Sequence, residues 1–348
     1  MRLRSGENML ACQMWLSVAS AIQSAPDTRS TNIFAPQGTA AQSIFGVSML
    51  VLGITAVIFV VVAGLLIYVL LRYRARPTGA DTEQEPPQIY GSNQIELSWT
   101  VIPILIVVVL FLATTRVIFS TEKVQKPAAA LDVTVIGHQF WWEYRYPKLG
   151  IVTANELHIP ISDPSHPTPT FLTMTSADTD HSYWVPQLAG KMDLIPNKVN
   201  EMWVDPPTAG LYLGQCAQYC GTQHAKMLLR VYADTPAQFA AWIASQQKPA
   251  TTTFSDANAA AGQAVFQHNA CISCHTVAGT VATGRFGPDL THVASRDTIA
   301  SGAVPNNPAN IRAFVDDPSH FKPGVLMPPM HLNDHDLDLV TAYLTSLK

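Results

Sequence analysis

Charge is what this chain has least of: Asp, Glu, Lys and Arg make up 13% of its 348 residues, against about a quarter in an ordinary soluble domain. The net charge is −4, and without a basic excess there is no electrostatic footprint for a nucleic-acid partner. Cysteine is scarce as well. Four of the five cysteines fall into two close pairs, Cys216/Cys220 and Cys271/Cys274, a spacing that argues against a disulfide framework and for cofactor attachment. No internal repeat and no low-complexity tract is present, which sets aside repeat arrays and biased, unpacked arms. The mean hydropathy is positive, so part of the chain belongs in a membrane.

Two apolar runs carry that hydropathy. Ser43–Leu71 and Trp99–Phe119 are each long enough for the ~20 residues that a bilayer crossing needs. Arg72, Arg74 and Arg76 follow the first run, so the loop between the runs is expected on the cytoplasmic side. Both termini, and everything after the hairpin, then face outward. Ahead of it, Arg2, Arg4, the short apolar stretch Met14–Ile22 and Ala19-Ser-Ala21 resemble a signal peptide cut after Ala21. Leu10-Ala-Cys12 is a weaker lipoprotein-like site. Retained and removed leaders both stay open.

The chain divides into four blocks: a leader and polar approach over 1–40, a transmembrane hairpin over 41–120, a third block over 125–247 and a fourth over 254–348. In the third, Leu131–Ile136 and Phe171–Thr175 alternate with the strand period. Clusters such as Asp163-Pro164 and Asp205–Gly210 punctuate the strands. Many short strands with turn signals predict a sandwich or small barrel, closed by a helix over Pro236–Gln247. Lys248–Phe254 reads as a linker. Beyond Asp256 the pattern is helical, and Leu337, Val340, Leu344 and Leu347 mark one face of a final amphipathic helix over Asn333–Lys348. Phe266 and Tyr343 read as contacts between its first and last helices.

The loop Cys216-Ala-Gln-Tyr-Cys220-Gly-Thr-Gln-His224-Ala-Lys-Met227 gathers soft thiolate and thioether ligands with an imidazole, a set that favours copper. A blue-copper site needs one Cys. The second allows two thiolates to bridge two coppers, which points to a binuclear electron-transfer centre that still lacks one His. Cys271-Ile-Ser-Cys274-His275 is the attachment sequence of c-type haem; a zinc reading needs a second ligand pair, and none follows. The sixth iron ligand is expected downstream, in Lys322-Pro-Gly-Val-Leu-Met327-Pro-Pro-Met330. Met327 is the first candidate and Met330 its competitor, and Met/His ligation favours electron transfer over oxygen binding. His138 reads as structural, and His268, His292, His320, His331 and His335 as solvated.

Further segments carry a family resemblance: Glu96-Leu-Ser-Trp99-Thr-Val-Ile-Pro103, Gly137-His-Gln-Phe-Trp-Trp142, and His181-Ser-Tyr-Trp-Val-Pro186 running on to Pro196. With the copper loop, they make the chain resemble subunit II of cytochrome c oxidase. With the haem motif it is similar to the caa3 type, in which a cytochrome c is fused to the CuA subunit. The resemblance implies a multidomain fold: a two-helix transmembrane hairpin, an all-β cupredoxin-like barrel and an all-α class I cytochrome c domain. It implies a binuclear CuA held by His181, Cys216, Cys220, His224, Met227 and the backbone carbonyl of Gln218, and one covalent haem c held by Cys271, Cys274, His275 and Met327. Pro288, after Gly287, matches the residue whose carbonyl orients the haem-ligating His. Two positions depart from the family. Gln218 stands where Glu usually also binds magnesium, which puts that hard-cation site in doubt and leaves copper untouched. Phe140 stands where a Trp usually lies between donor and copper, so Trp141 or Trp142 becomes the candidate carrier, with plain aromatic packing as the other reading. Glu96 is either a proton-uptake carboxylate or an anion favoured by a helix start.

By the same resemblance the chain is the electron-transfer subunit of a terminal oxidase in a bacterial inner membrane, its copper and haem domains on the periplasmic side. Electrons would run from cytochrome c or a quinol–cytochrome c reductase through haem c and CuA to the haem of subunit I. There oxygen is reduced to water with proton translocation. This chain shows no oxygen-reducing site, so the cytochrome-c oxidase activity belongs to the complex with subunit I and the other oxidase subunits. Two alternatives stand: the CuA subunit of a nitric oxide reductase, and a membrane-anchored copper/haem shuttle. Glu96 and Trp99–Pro103 speak against the shuttle.

Overall fold

The computed structural model describes residues 31–74, 88, 90–122, 124–128, 130–250 and 254–348. The expected leader, its cut after Ala21, Cys12, Arg76 and part of the linker lie outside the described residues. The chain forms two units, one over Gln42–Gln125 and one joining the preceding residues to Lys126–Lys348.

The first unit consists largely of two helices, α1 (Thr39–Arg72) and α2 (Asn93–Glu122). Both are apolar all round: Phe59, Leu71 and Phe111 stand 66–75% exposed, and no window of either apolar stretch is buried by protein. A helix that is apolar on every face and has no protein cover matches lipid as its solvent. The helices outrun the apolar stretches because polar end residues stay helical. Ser98 and Thr100 donate their hydroxyls to the carbonyls of Gln94 and Glu96, both at 2.8 Å. Pro103 sits inside α2, where a membrane helix tolerates it. Arg72 ends α1 and Glu96 lies in the first turn of α2, each matching the helix dipole.

The second unit begins with ten strands: β1 (Asp132–His138), β2 (Trp141–Tyr146), β3 (Ile151–Ala154), β4 (Glu156–Pro160), β5 (Thr170–Ser176), β6 (His181–Trp184), β7 (Met192–Leu194), β8 (Asn200–Val204), β9 (Gly210–Cys216) and β10 (Leu228–Asp234). They form two five-stranded sheets in the orders β3-β2-β1-β5-β8 and β4-β10-β9-β6-β7. The β1–β5 and β4–β10 pairs are parallel; the rest run antiparallel. Alternating Val133/Val135, Leu157/Ile159, Leu172/Met174 and Leu229/Val231 fill the space between the sheets, giving the expected cupredoxin-like barrel. Alternation breaks at the end of β1, where Ile136 and Gly137 are both buried. A Cβ on Gly137 would come within 2.8 Å of His181 Cδ2, so glycine lets β1 press against that imidazole. In β2, Glu143 is 7% exposed and accepts hydrogen bonds from His138 Nε2 at 2.9 Å and Arg145 Nε at 2.5 Å. Helix α3 (Pro236–Gln246) follows, opened by a Thr235/Gln238 capping box.

The last domain holds α4 (Ala257–His268), the short turn α5 (Cys271–Cys274), a ribbon of β11 (Thr298–Ile299) and β12 (Val304–Pro305), then α6 (Pro308–Asp316), α7 (Pro318–Phe321) and α8 (Asp334–Ser346). Asp256, Asn307 and Asn333 cap α4, α6 and α8. Helices α4 and α8 pack through Phe266 and Tyr343, whose ring centres are 5.5 Å apart. A Cβ on Gly262 would fall 1.9 Å from the Leu339 carbonyl oxygen, so this helix crossing requires glycine. His292 departs from expectation. It is 4% exposed, and its Nε2 donates to Gln246 O at 3.1 Å, because the end of α3 packs over it and shuts out water.

Two predictions follow from these contacts. Gly262→Ala should destabilise the haem domain by about 1–3 kcal/mol, since the obstacle is backbone; thermal melting of the chain would show it, and an unchanged melt would deny the close crossing. Burial opposes the charge on Glu143, yet the bonds from His138 and Arg145 outweigh it and hold the carboxyl below 4.5. A depressed folded-state pKa gives stability that is fully present above pH 4.5 and lost as pH falls through the folded value. Glu143→Gln should therefore cost about 1–3 kcal/mol at neutral pH and flatten the acid limb of a pH–stability profile.

Candidate functional site

Strand β6 opens with His181 and β9 closes with Cys216, and these strands are hydrogen-bonded neighbours. The loop that follows returns to β10 with the Cys216 amide donating to Met227 O at 3.0 Å, which pins both ends of the ligand-bearing run. His181, Cys216, Cys220 and Met227 are each at most 4% exposed. The two Sγ atoms lie 3.8 Å apart and both thiols are free. His181 Nδ1 is 3.9 Å from Cys216 Sγ, and His224 Nδ1 is 3.8 Å from Cys220 Sγ. Met227 Sδ lies 3.9 Å from Cys220 Sγ, and Gln218 O lies 3.2 Å from Cys216 Sγ. All five ligand side chains expected from the sequence meet here with the Gln218 carbonyl. The Gln218 side chain is exposed.

One partner escaped the sequence reading. Asp178, three residues before His181, accepts a hydrogen bond from His181 Nε2 at 2.9 Å, which leaves Nδ1 free to face the sulfurs. Its only signal in the sequence is an acid just ahead of a ligand histidine. Burial opposes charge on His181, but the bonds to Asp178 and Cys216 outweigh it and raise the imidazole above its usual range. The hydrogen bond from Cys220 holds the Cys216 thiol well below the usual thiol range, while the shared proton and burial push Cys220 up. Two buried sulfurs flanked by an imidazole on each side fit copper, the thiols suiting its soft monovalent form and the imidazoles either form.

The second site is an apolar cavity that Cys271, Cys274, His275, Met327 and Met330 all line. His275 Nδ1 donates to Pro288 O at 2.8 Å, which turns Nε2 toward the cavity. Burial lowers the His275 pKa and favours the neutral imidazole that ligates iron. Gly287 supplies the room: a Cβ there would be 2.6 Å from His275 Cε1. Arg296 also lines the cavity, and its Nε is buried without a partner. Free thiols, an oriented imidazole, apolar walls and an orphaned guanidinium nitrogen fit a haem with its charged propionates. Met330 also packs into the helical core, whereas Met327 does not.

One wall of this cavity comes from the β domain, where Gln139, Phe140 and Trp141 line it. Trp141 stacks on His138 with ring centres 4.1 Å apart. Trp142 is absent from the lining; it is fully buried in the barrel, edge-on to His181 at 6.0 Å and to Tyr183 at 5.4 Å. The Phe140 ring lies 3.0 Å from where a Cβ on Gly221 would sit, against the residue after Cys220.

Three family models match the chain. Residues 34–117 match "Cytochrome C oxidase subunit II, transmembrane domain", 164–233 match "Cytochrome C oxidase subunit II, periplasmic domain", and 259–348 match "Cytochrome c". Cytochrome c oxidase subunit 2 of Alkalihalophilus pseudofirmus is 33% identical over 322 residues, covering 90% of each chain. The chain belongs to the cytochrome c oxidase subunit II family. The same-named protein of Bacillus sp. strain PS3 is 32% identical over 280 residues, 76% of this chain and 77% of its own. The periplasmic domain of subunit II from Bradyrhizobium japonicum aligns with 35% of this chain and 97% of its own, at 26% identity and a TM-score of 0.33. By its family models and these relatives the chain is subunit II of a haem–copper oxidase. It is anchored by apolar helices, carries a periplasmic domain and associates with other oxidase subunits including subunit I. Its two extramembrane domains imply copper and haem c as cofactors.

The two methionines can be separated by experiment. With haem attached, Met327→Leu should abolish the low-spin Met/His absorption spectrum while Met330→Leu keeps it; the reverse result would move the iron ligand to Met330.

Proposed function

We propose that this chain is the electron-input subunit of a proton-translocating oxidase that reduces oxygen to water. It takes electrons from a periplasmic cytochrome c or a quinol–cytochrome c reductase and delivers them to subunit I. The setting is a bacterial inner membrane, with the hairpin at 41–120, the copper domain at 125–247 and the haem domain at 254–348. The observation that carries the reading is the near-symmetric donor set, two sulfurs 3.8 Å apart with an imidazole nitrogen within 3.9 Å of each. When bound, a binuclear copper centre and one covalent haem c would supply one-electron chemistry without breaking bonds.

The residues would divide the work as follows. Cys216, Cys220, His181, His224, Met227 and the Gln218 carbonyl would together hold the copper, the two thiols and two imidazoles as its principal ligands. Asp178 orients His181 before any metal arrives. Burial of the ligands keeps the set dry and rigid, so little rearranges when the charge changes. Cys271 and Cys274 would anchor the haem, and His275, held in its ligating tautomer by Pro288, and Met327 would hold its iron. Of the two candidate indoles, Trp141 is better placed as a carrier because it lines the cavity, and Trp142 is better read as barrel packing beside His181. Glu96, exposed in the first turn of α2, would serve proton uptake. A neutral amide at Gln218 makes a poor ligand for a hard cation such as magnesium.

The purified oxidase should contain two coppers and one haem c per copy of this chain and show a mixed-valence copper signal in electron paramagnetic resonance. A Met227→Leu variant should keep both coppers and shift their potential. A single copper per chain, no mixed-valence signal, or loss of all copper on replacing Met227 would each overturn the assignment.

A further inference from the structure

The β and haem domains meet through buried polar contacts at two separate points around the haem cavity. At the first, Glu156 at the start of β4 is 3% exposed. Its carboxylate accepts three hydrogen bonds from the haem domain, from Asp297 N at 3.0 Å, Thr298 N at 2.9 Å and Thr298 Oγ1 at 2.7 Å. Beside it, Ser301 Oγ donates to Asn155 Oδ1 at 3.2 Å and Leu228 N donates to Ser301 O at 3.2 Å. Without the haem domain this carboxylate would lose the donors that make its burial tolerable.

At the second point, Lys322 of the haem domain is 2% exposed, and its ammonium donates to the Phe140 carbonyl at 2.8 Å. Lys226 Nζ donates back to Phe321 O at 2.7 Å, and the Gln223 side chain donates to Pro323 O. Phe140 thus touches both sites. Its ring lies against Gly221 of the copper loop, and its carbonyl is held by the loop that carries Met327. Burial lowers the Lys322 pKa to about 7, a cost that an apolar side chain packed there would not carry, so position is what this lysine supplies.

We propose that Lys322 and Glu156 are positioning residues that clamp the fused haem domain in one pose on the copper domain. Electrons then cross between the two sites without the domain swinging on its linker. The crossing moves one electron and makes or breaks no bond. The inference rests on the proposed function, and its test separates the two.

The test uses the complete oxidase with copper and haem loaded, comparing the parent with Lys322→Met and Glu156→Gln. Mixed-valence copper and low-spin haem spectra are recorded first; their absence from the parent would defeat the functional reading, not the clamp. Flash-induced electron injection then follows transfer from haem to copper. Each variant should slow it by about tenfold or more, the factor matching one lost buried hydrogen bond. The slowed rate should also fall with added viscosity, because domain motion now gates it. Amide exchange gives a readout that needs no electron transfer: Lys322→Met should speed exchange at Asp297 and Thr298, which lie at the other anchor. Unchanged rates, a slower rate that viscosity does not touch, or unchanged exchange at the far anchor would overturn the clamp. Should Lys322→Met fail to load cofactor, Glu156→Gln, at the other anchor, decides by the transfer rate and its response to viscosity.

Discussion

Two sulfur atoms 3.8 Å apart in a dry pocket, unbonded to each other, are the constraint around which the extramembrane domains are arranged. Thiolates so close repel, and burial removes the water that would screen them. The fold places an imidazole on each side of the pair. His181 faces Cys216 and His224 faces Cys220, while the Cys216–Met227 backbone bond closes the loop beneath them. A barrel is suited to the task because His181 and Cys216 lie on adjacent strands whose spacing the sheet fixes. The remaining donors come from one short loop.

Close approach is the recurrent means of construction. Gly137 admits His181 to the back of β1, Gly221 admits the Phe140 ring to the copper loop, and Gly287 admits His275 to the haem cavity. At each point a methyl group would meet an aromatic ring at 3.0 Å or less. Each ligand imidazole oriented this way has its second nitrogen committed, His181 to Asp178 and His275 to the Pro288 carbonyl. The tautomer is thereby set before metal arrives. The same economy joins the domains, since Phe140 contributes its ring to one site and its carbonyl to the other.

The hairpin, the barrel and the helical haem domain were legible because each rests on a local pattern: long apolar runs, strand alternation and helical spacing with capping residues. Asp256, Asn333 and Thr235 cap the helices the pattern predicts. Departures from pattern occur at single residues. His292 looked like a surface histidine because nothing near it in the chain shows that the end of α3 covers it. Trp141 and Trp142 are neighbours of the same type, and strand alternation alone sends one toward the cavity and the other into the barrel.

By itself the sequence determined the chemistry on offer. All the ligands but His181 and Met327 fall within two short motifs, and motifs of that length carry their spacing in the chain itself. Only the tertiary structure decided how those motifs are served: that Asp178 orients His181, that Arg296 lines the cavity with a buried, unpaired Nε, and that Lys322 bonds a carbonyl 182 residues away. Contacts of that separation depend on how whole domains pack, and no pattern along the chain records them.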